Sequence, residues 1–427
     1  MSSAAPVVSP PGTSFASLGV SAQLVDALHE AGIATAFAVQ ACTVPDALAG
    51  RDVTGKAPTG SGKTLAFGIP MIERLPRARP KRPTGLVLVP TRELAAQIAK
   101  ALQPLAAVRA LRVHAFYGGA SFPPQIRALE RGVDIAVACP GRLLDLVSQR
   151  LVSLDDVQIA VVDEADRMAD MGFLPDVRQI LDLTKRQRQT LLFSATLDGD
   201  VDVLVDEYQR DPVHHEVAPP ESAPVDHRFW LVPDDERADR CAAVVGRSGS
   251  TVVFVRTRHG ADRLVQRLQG SGATAAALHG GHSQAKREQA LDAFRRGRVS
   301  ALVATDVAAR GIHIDGVDCV VQFDLPADHK DYVHRAGRTG RAGMTGVVVS
   351  FVAPKKRRYA RSLMAQLDLD AAIDAPDLSS VPASSKSTAT TATATTATAA
   401  IWPAAAATSD TGAVRRPGSI GGVVRIT

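Results

Sequence analysis

The sequence predicts an α/β protein of two domains, each a mostly parallel sheet flanked by helices. Three observations carry this prediction. Apolar runs of strand length alternate with helical patterns from residue 53 to residue 352, the pattern of parallel sheets covered on both faces. One of these runs, Ile159-Ala160-Val161-Val162, ends on two acids, Asp163 and Glu164, at the strand end where open α/β sheets bind ligands. A break with three prolines, Val217 to Pro224, divides the series in two.

Along the chain, residues 1–14 read as a flexible N-terminus. They lack a basic start followed by an apolar core, so no signal peptide is expected. The first domain spans 15–216, with strands expected at 85–89, 113–116, 135–138, 159–162 and 190–193. A linker covers 217–225. The second domain spans 226–374, with strands expected at 251–255, 274–278, 301–304, 319–323 and 347–351. The alanines at 275–277 carry little strand preference of their own. Residues 375–427 are rich in Ala, Thr and Ser and read as a disordered tail.

Composition narrows the class. With 427 residues, 45% of them apolar, the chain can fill two cores. No uninterrupted apolar run is long enough to span a membrane. The four cysteines are widely spaced, and no Cys/His cluster suggests zinc or a disulfide framework. A net charge of +5 is compatible with a polyanionic partner. Aromatic residues make up only 4%, too few for a base-stacking platform, so binding to nucleic acid would go mainly to the backbone.

Three motifs carry chemistry. Ala57-Pro58-Thr59-Gly60-Ser61-Gly62-Lys63-Thr64 is a phosphate loop, with Ala57 where the strict form has Gly. Gly60 and Gly62 let backbone N–H groups approach phosphate oxygens. Lys63 would neutralise the β and γ phosphates, and the Thr64 hydroxyl would ligate magnesium. Asp163 would hold the same ion through its water shell, and Glu164 would activate the attacking water. Ser194-Ala195-Thr196 ends the next strand, where its hydroxyls can bond the acidic cluster. Far downstream, His334-Arg335-Ala336-Gly337-Arg338-Thr339-Gly340-Arg341 supplies cations. Arg338 and Arg341 would share a face if helical, and would suit charge stabilisation on a transferring phosphoryl group.

Taken in this order, the motifs resemble those of the DEAD-box ATP-dependent RNA helicases over roughly residues 13 to 365. The resemblance implies two RecA-like domains that close on ATP, Mg2+ and RNA. It implies an enzyme that hydrolyses the phosphoanhydride of ATP, acting as a cytoplasmic monomer with possible ribonucleoprotein partners. Phe15 and Gln40 match the adenine-recognition element, although Ala36 and Ala38 stand where the family usually has prolines. Pro90, Thr91, Arg92, Gly118, Gly119, Pro140, Gly141 and Arg142 match the RNA contacts of the first domain, with Cys139 in place of the usual Thr. Thr257, Gln284, Arg287 and Thr305 match those of the second. Asp166, Ser194, Thr196, Arg310 and His334 match positions that couple the domains. His313 replaces the Asp that normally approaches the ribose; either its imidazole keeps the ribose contact and makes closure sensitive to pH, or the substitution is tolerated without a pH effect. Two other readings stay open: a DNA helicase on the same fold, and an ATP-gated RNA clamp or scaffold with little turnover.

Overall fold

The computed structural model describes residues 12–58, 60–197, 199–218, 225–309, 314, 316–340 and 345–383. Thr59, Arg310, His313 and Arg341 fall outside the described residues.

The chain forms two seven-stranded sheets. The first contains β1 (Val53–Lys56), β2 (Gly85–Leu88), β3 (Val113–Phe116), β4 (Ile135–Ala138), β5 (Ile159–Asp163), β6 (Gln189–Ser194) and β7 (Val213–Glu216). Their spatial order is β3-β4-β2-β5-β6-β1-β7. The second contains β8 (Val225–Leu231), β9 (Thr251–Phe254), β10 (Ala275–Leu278), β11 (Ala301–Ala304), β12 (Cys319–Gln322), β13 (Gly346–Val352) and β14 (Ile373–Asp374). Their order is β10-β11-β9-β12-β13-β8-β14, the same permutation shifted by seven strands. All pairings in both sheets are parallel.

Parallel strands are joined by crossovers that place helices on both faces, which is why the central strands are apolar throughout rather than alternating. Their successive residues divide between two cores. Val87, Val137, Val161 and Leu191 pack on one face of the first sheet, while Leu86, Ala136, Val162 and Leu192 pack on the other. The helix Arg92–Ala107 covers the first face with Leu94, Ile98, Leu102 and Leu105, spaced at helical intervals. Among the described residues, no helix is long and apolar enough to cross a membrane.

The ten expected strands are present, and four others join them. β1, β7 and β14 are short or polar, and β8 carries Asp226, His227 and Arg228 after its first residue, so none stands out as an apolar run. β8 starts at Val225, the last residue of the expected linker. The ordered chain also begins before Phe15, since the Thr13 carbonyl accepts the Ala36 N–H at 2.9 Å.

The expectation of disorder from residue 375 does not hold for residues 375–383. Leu378–Ser380 forms a short 3-10 turn, Val381 is fully buried in a core cluster, and Arg247 Nε donates to the Val381 carbonyl at 2.5 Å. A single apolar anchor among Ser and Pro leaves no periodicity to read. Arg338 is also not helical, because the helix His329–Ala336 stops at Gly337.

Candidate active site

The site is assembled where the first sheet's central strands end. Ser194, the last residue of β6, joins its two neighbours. Its carbonyl accepts the Ala57 N–H at 2.9 Å, and its Oγ accepts the Asp166 N–H at 3.2 Å. The order β5-β6-β1 thus brings the acidic turn and the phosphate loop to either side of one residue. Asp166 returns the contact by accepting the Ala195 N–H at 3.2 Å. Thr196 is exposed.

The phosphate loop has the backbone its glycines predict. Gly60 and Gly62 have φ of 87° and 92°, a region that side chains disfavour. Lys63 opens the helix Lys63–Arg74, is only 7% exposed, and donates from Nζ to the Ala57 carbonyl at 3.0 Å. The ammonium is therefore held inside the loop before any ligand arrives. The Ser61 hydroxyl is buried with no hydrogen-bond partner. Such a donor is costly unless a ligand or water satisfies it. Helix N-terminus, ammonium and unpaired hydroxyl fit a phosphate group. Thr64 and Asp163 offer hard oxygen donors of the type magnesium takes.

Asp163 and Glu164 are both buried. Glu164 has φ 54° and ψ 49°, a left-handed conformation that is strained for a non-glycine residue and recurs at functional sites. Its N–H donates to Asp163 Oδ1 at 3.0 Å, which contributes to holding the turn. Its Oε2 accepts from Arg167 Nη1 at 3.0 Å. That pair is buried on both sides and fixes the direction of the carboxylate.

The adenine element differs from expectation. Phe15 is 1% exposed and belongs to the domain core, so it offers no face to a base. Gln40 is also buried. It donates from Nε2 to the Gly62 carbonyl and accepts the Phe37 N–H, each at 2.9 Å. Gln40 thus ties the start of its helix to the phosphate loop. The sequence reading missed Phe37, which is 56% exposed although apolar. A Cβ on Gly62 would lie 2.6 Å from its ring. An aromatic residue three positions before Gln40 is the available signal.

The expected RNA residues gather at helix starts on both domains. Thr91 caps the helix Arg92–Ala107 by accepting the Leu94 N–H, and Thr257 caps the helix Arg258–Gly270 by accepting the Gly260 N–H. Arg92 lies against Gly119, where a Cβ would overlap its guanidinium. Pro140 opens the helix Pro140–Ser148 after Cys139, whose thiol burial pushes up to about 12. Gly141 has open space around its Cα, as does Gly118. Arg142 is buried rather than presented. It holds the Ala120 carbonyl with both terminal nitrogens and stacks 4.0 Å from the Phe122 ring. Gln284 and Thr305 are largely buried, and Gln284 Nε2 donates to Glu288 at 3.1 Å.

Arg287 pairs across the two domains. Its Nη2 lies 3.0 Å from Glu93 Oε1, with side chains 5% and 6% exposed. His334 also faces the first domain. Burial lowers its pKa and Arg167 adds to that, while Asp170 and Asp166 oppose it. Arg335, given no role from sequence, is the second domain's hub. It is bidentate to Asp306 at 2.6 and 2.7 Å and also bonds the Asp324 carbonyl at 2.7 Å. Arg338 is 6% exposed, and its carbonyl accepts the Val317 N–H at 3.2 Å.

Comparison with known proteins gives the same division. Residues 37–204 match the DEAD/DEAH box helicase family, and residues 236–343 match the helicase conserved C-terminal domain. The chain is 39% identical over 355 residues to the DEAD-box ATP-dependent RNA helicase CshA of Bacillus subtilis, covering 82% of this chain and 71% of that protein. It is 43% identical over 362 residues to the ATP-dependent RNA helicase RhlB of Xanthomonas oryzae pv. oryzae, covering 82% and 62%. Among solved structures, Dbp5 of S. cerevisiae bound to RNA and ADP BeF3 superposes with a TM-score of 0.73 at 28% identity, covering 85% of this chain and 96% of that one.

Proposed function

The chain belongs to the DEAD-box family of ATP-dependent RNA helicases, and from that premise we propose how its two domains couple ATP hydrolysis to the local separation of RNA strands. The observation that carries the reading is the buried Glu93–Arg287 pair, which joins the helix after β2 to a helix of the second domain. Both helices carry residues matching the family's RNA contacts.

Lys63 and the loop N–H groups hold the β and γ phosphates of ATP. Thr64 and Asp163 would hold magnesium, which would supply positive charge against the phosphates. Glu164, aimed by Arg167, accepts the proton of the attacking water. Arg338 and Arg341 bring positive charge from the second domain to the leaving and transferring oxygens. Phe37 and Gln40 form the base end of the pocket. His334, against the helix Ala165–Asp170, registers whether the domains are closed.

RNA lies along the helix starts at Thr91, Pro140, Thr257 and Gln284, where backbone N–H groups and hydroxyls meet phosphates without reading bases. Arg142 acts through the loop at Ala120, which it holds in place. A single strand held on both domains loses its partner on closure, and hydrolysis reopens the cleft. The resemblance to Dbp5 bound to RNA and ADP BeF3, which covers 85% of this chain, supports this arrangement.

The test is ATP hydrolysis by the full chain with single-stranded RNA or with DNA of the same sequence, alongside displacement of a short RNA duplex. Stimulation by RNA alone, together with ATP-dependent displacement, is expected. Equal stimulation by DNA would favour a DNA-directed enzyme, and ATP-dependent RNA retention without turnover would favour a clamp.

A further inference from the structure

The second domain carries a three-residue donor cluster that the nucleotide and RNA reading does not use. His279 comes directly after β10, His282 lies three residues later, and Asp262 comes from the helix Arg258–Gly270. Asp262 Oδ1 lies 2.9 Å from His279 Nε2 and 3.5 Å from His282 Nε2. One donor atom from each residue falls within 4.8 Å of the other two. Sequence reading could not find the group, because the carboxylate sits on a different element from the His-x-x-His turn.

We propose that Asp262, His279 and His282 form a binding site for a borderline transition-metal cation of the zinc type. Two imidazoles and one carboxylate are a donor set for such ions rather than for magnesium or calcium. Tetrahedral ligands at about 2.0–2.2 Å from a metal lie roughly 3.3–3.6 Å from one another. The shared Asp262 oxygen is therefore already near ligand spacing from both rings. His279 and His282 pack with ring centroids 3.9 Å apart, tilted by 41°, and are 4% and 11% exposed, while the Asp262 side chain is 46% exposed. The rings are thus held by the protein, and the carboxylate side admits the ion and its remaining water ligands.

Binding would change the turn. In the structure the Gly281 N–H donates to His279 Nδ1 at 3.2 Å, which leaves the ring proton on Nε2, facing Asp262. A metal at Nε2 moves that proton to Nδ1, where it opposes the Gly281 N–H. The Gly280–Gly281 peptide must then turn away, and two glycines permit this more readily than other residues would. The turn leads into Ser283, which caps the helix carrying Gln284 and Arg287 by accepting the Lys286 N–H. Metal occupancy therefore adjusts the start of a helix that holds both the interdomain pair and candidate RNA contacts.

The experiment titrates the full chain, stripped of metal and kept in magnesium buffer, with Co2+ monitored by visible absorption and with Zn2+ monitored by calorimetry. One equivalent is expected to bind, with at least about tenfold weaker binding in His282→Gln and unchanged binding in His259→Gln, a nearby exposed histidine. In the wild-type protein, one equivalent of Zn2+ should shift the ring resonances of His279 and His282 and change single-stranded RNA affinity severalfold. No saturable binding, or binding that His282→Gln leaves intact, would overturn the site. Saturation without any change in RNA affinity would overturn the coupling to the helix. The ring resonances keep the site testable if the substituted chain fails to fold.

Discussion

The two domains share a strand order but differ in the loop that leaves the equivalent strand. β1 and β8 occupy the same place in their sheets. β1 leads to Gly60-Ser61-Gly62-Lys63, a turn of glycines and a buried ammonium. β8 leads to Pro233-Asp234-Asp235-Glu236, three acids that would repel a phosphate. Asp234 is instead neutralised locally by Lys355 at 2.8 Å and Arg237 at 3.7 Å. The second domain therefore has the frame of a nucleotide-binding unit without its phosphate loop. What the two retain in common is the threonine cap after β2 and β9, Thr91 and Thr257. The comparison teaches that the phosphate loop is specialised to one half, while a threonine-capped helix start is kept in both.

The largest effect should come from the specialised half. Glu164→Gln should slow ATP hydrolysis by about 10²–10⁴-fold while nucleotide binding persists, as measured by single-turnover kinetics. A smaller loss would mean that the first domain does not supply the base. The shared frame is tested next by truncation. Ending the chain after residue 374 removes Val381 from the second core and should cost about 1.5–3 kcal/mol, seen as a lower melting midpoint for that domain. Ending it after 383 should leave the midpoint unchanged.

Gly119→Ala should cost about 1–2 kcal/mol of backbone strain at φ 77° and displace Arg92. Single-stranded RNA affinity should fall, whereas Gly246→Ala, with nothing within 4 Å of its added Cβ and no assigned RNA contact, should bind normally.

The smallest effect is pH-dependent. Burial lowers His334 below the ordinary histidine value, so closure favours the neutral ring. The stabilisation is present above about pH 6.5 and is lost as pH falls from there through the lowered value. RNA-stimulated hydrolysis should decline more steeply on acidification in the wild type than in His334→Gln.

Much of this was legible in sequence because it depends on local pattern. The apolar runs at 85–89 and 159–162 announce buried strands, and Gly60-Ser61-Gly62-Lys63-Thr64 announces a phosphate loop wherever it folds. The hidden features depend on distance. Glu93 looks like an ordinary helix-face charge and Arg287 like an RNA contact until two domains bring them within 3.0 Å. Arg142 reads as a phosphate ligand, and its burial and its bonds to the Ala120 carbonyl do not show in the sequence. Phe15 reads as a base contact but is core, while Phe37, three residues before Gln40, stands exposed beside the loop. Val381 lies in a stretch whose composition matches the tail, and only its burial shows that it belongs to the second core.

The central claim is that contact between the domains makes hydrolysis depend on RNA. A double-mutant cycle on Glu93→Gln and Arg287→Gln, read as the ratio of ATP hydrolysis with and without single-stranded RNA, tests it most directly. The account predicts that each single substitution sharply lowers the ratio and that the second adds little once the first is made. Full stimulation in either single variant, or losses that simply add, would contradict it.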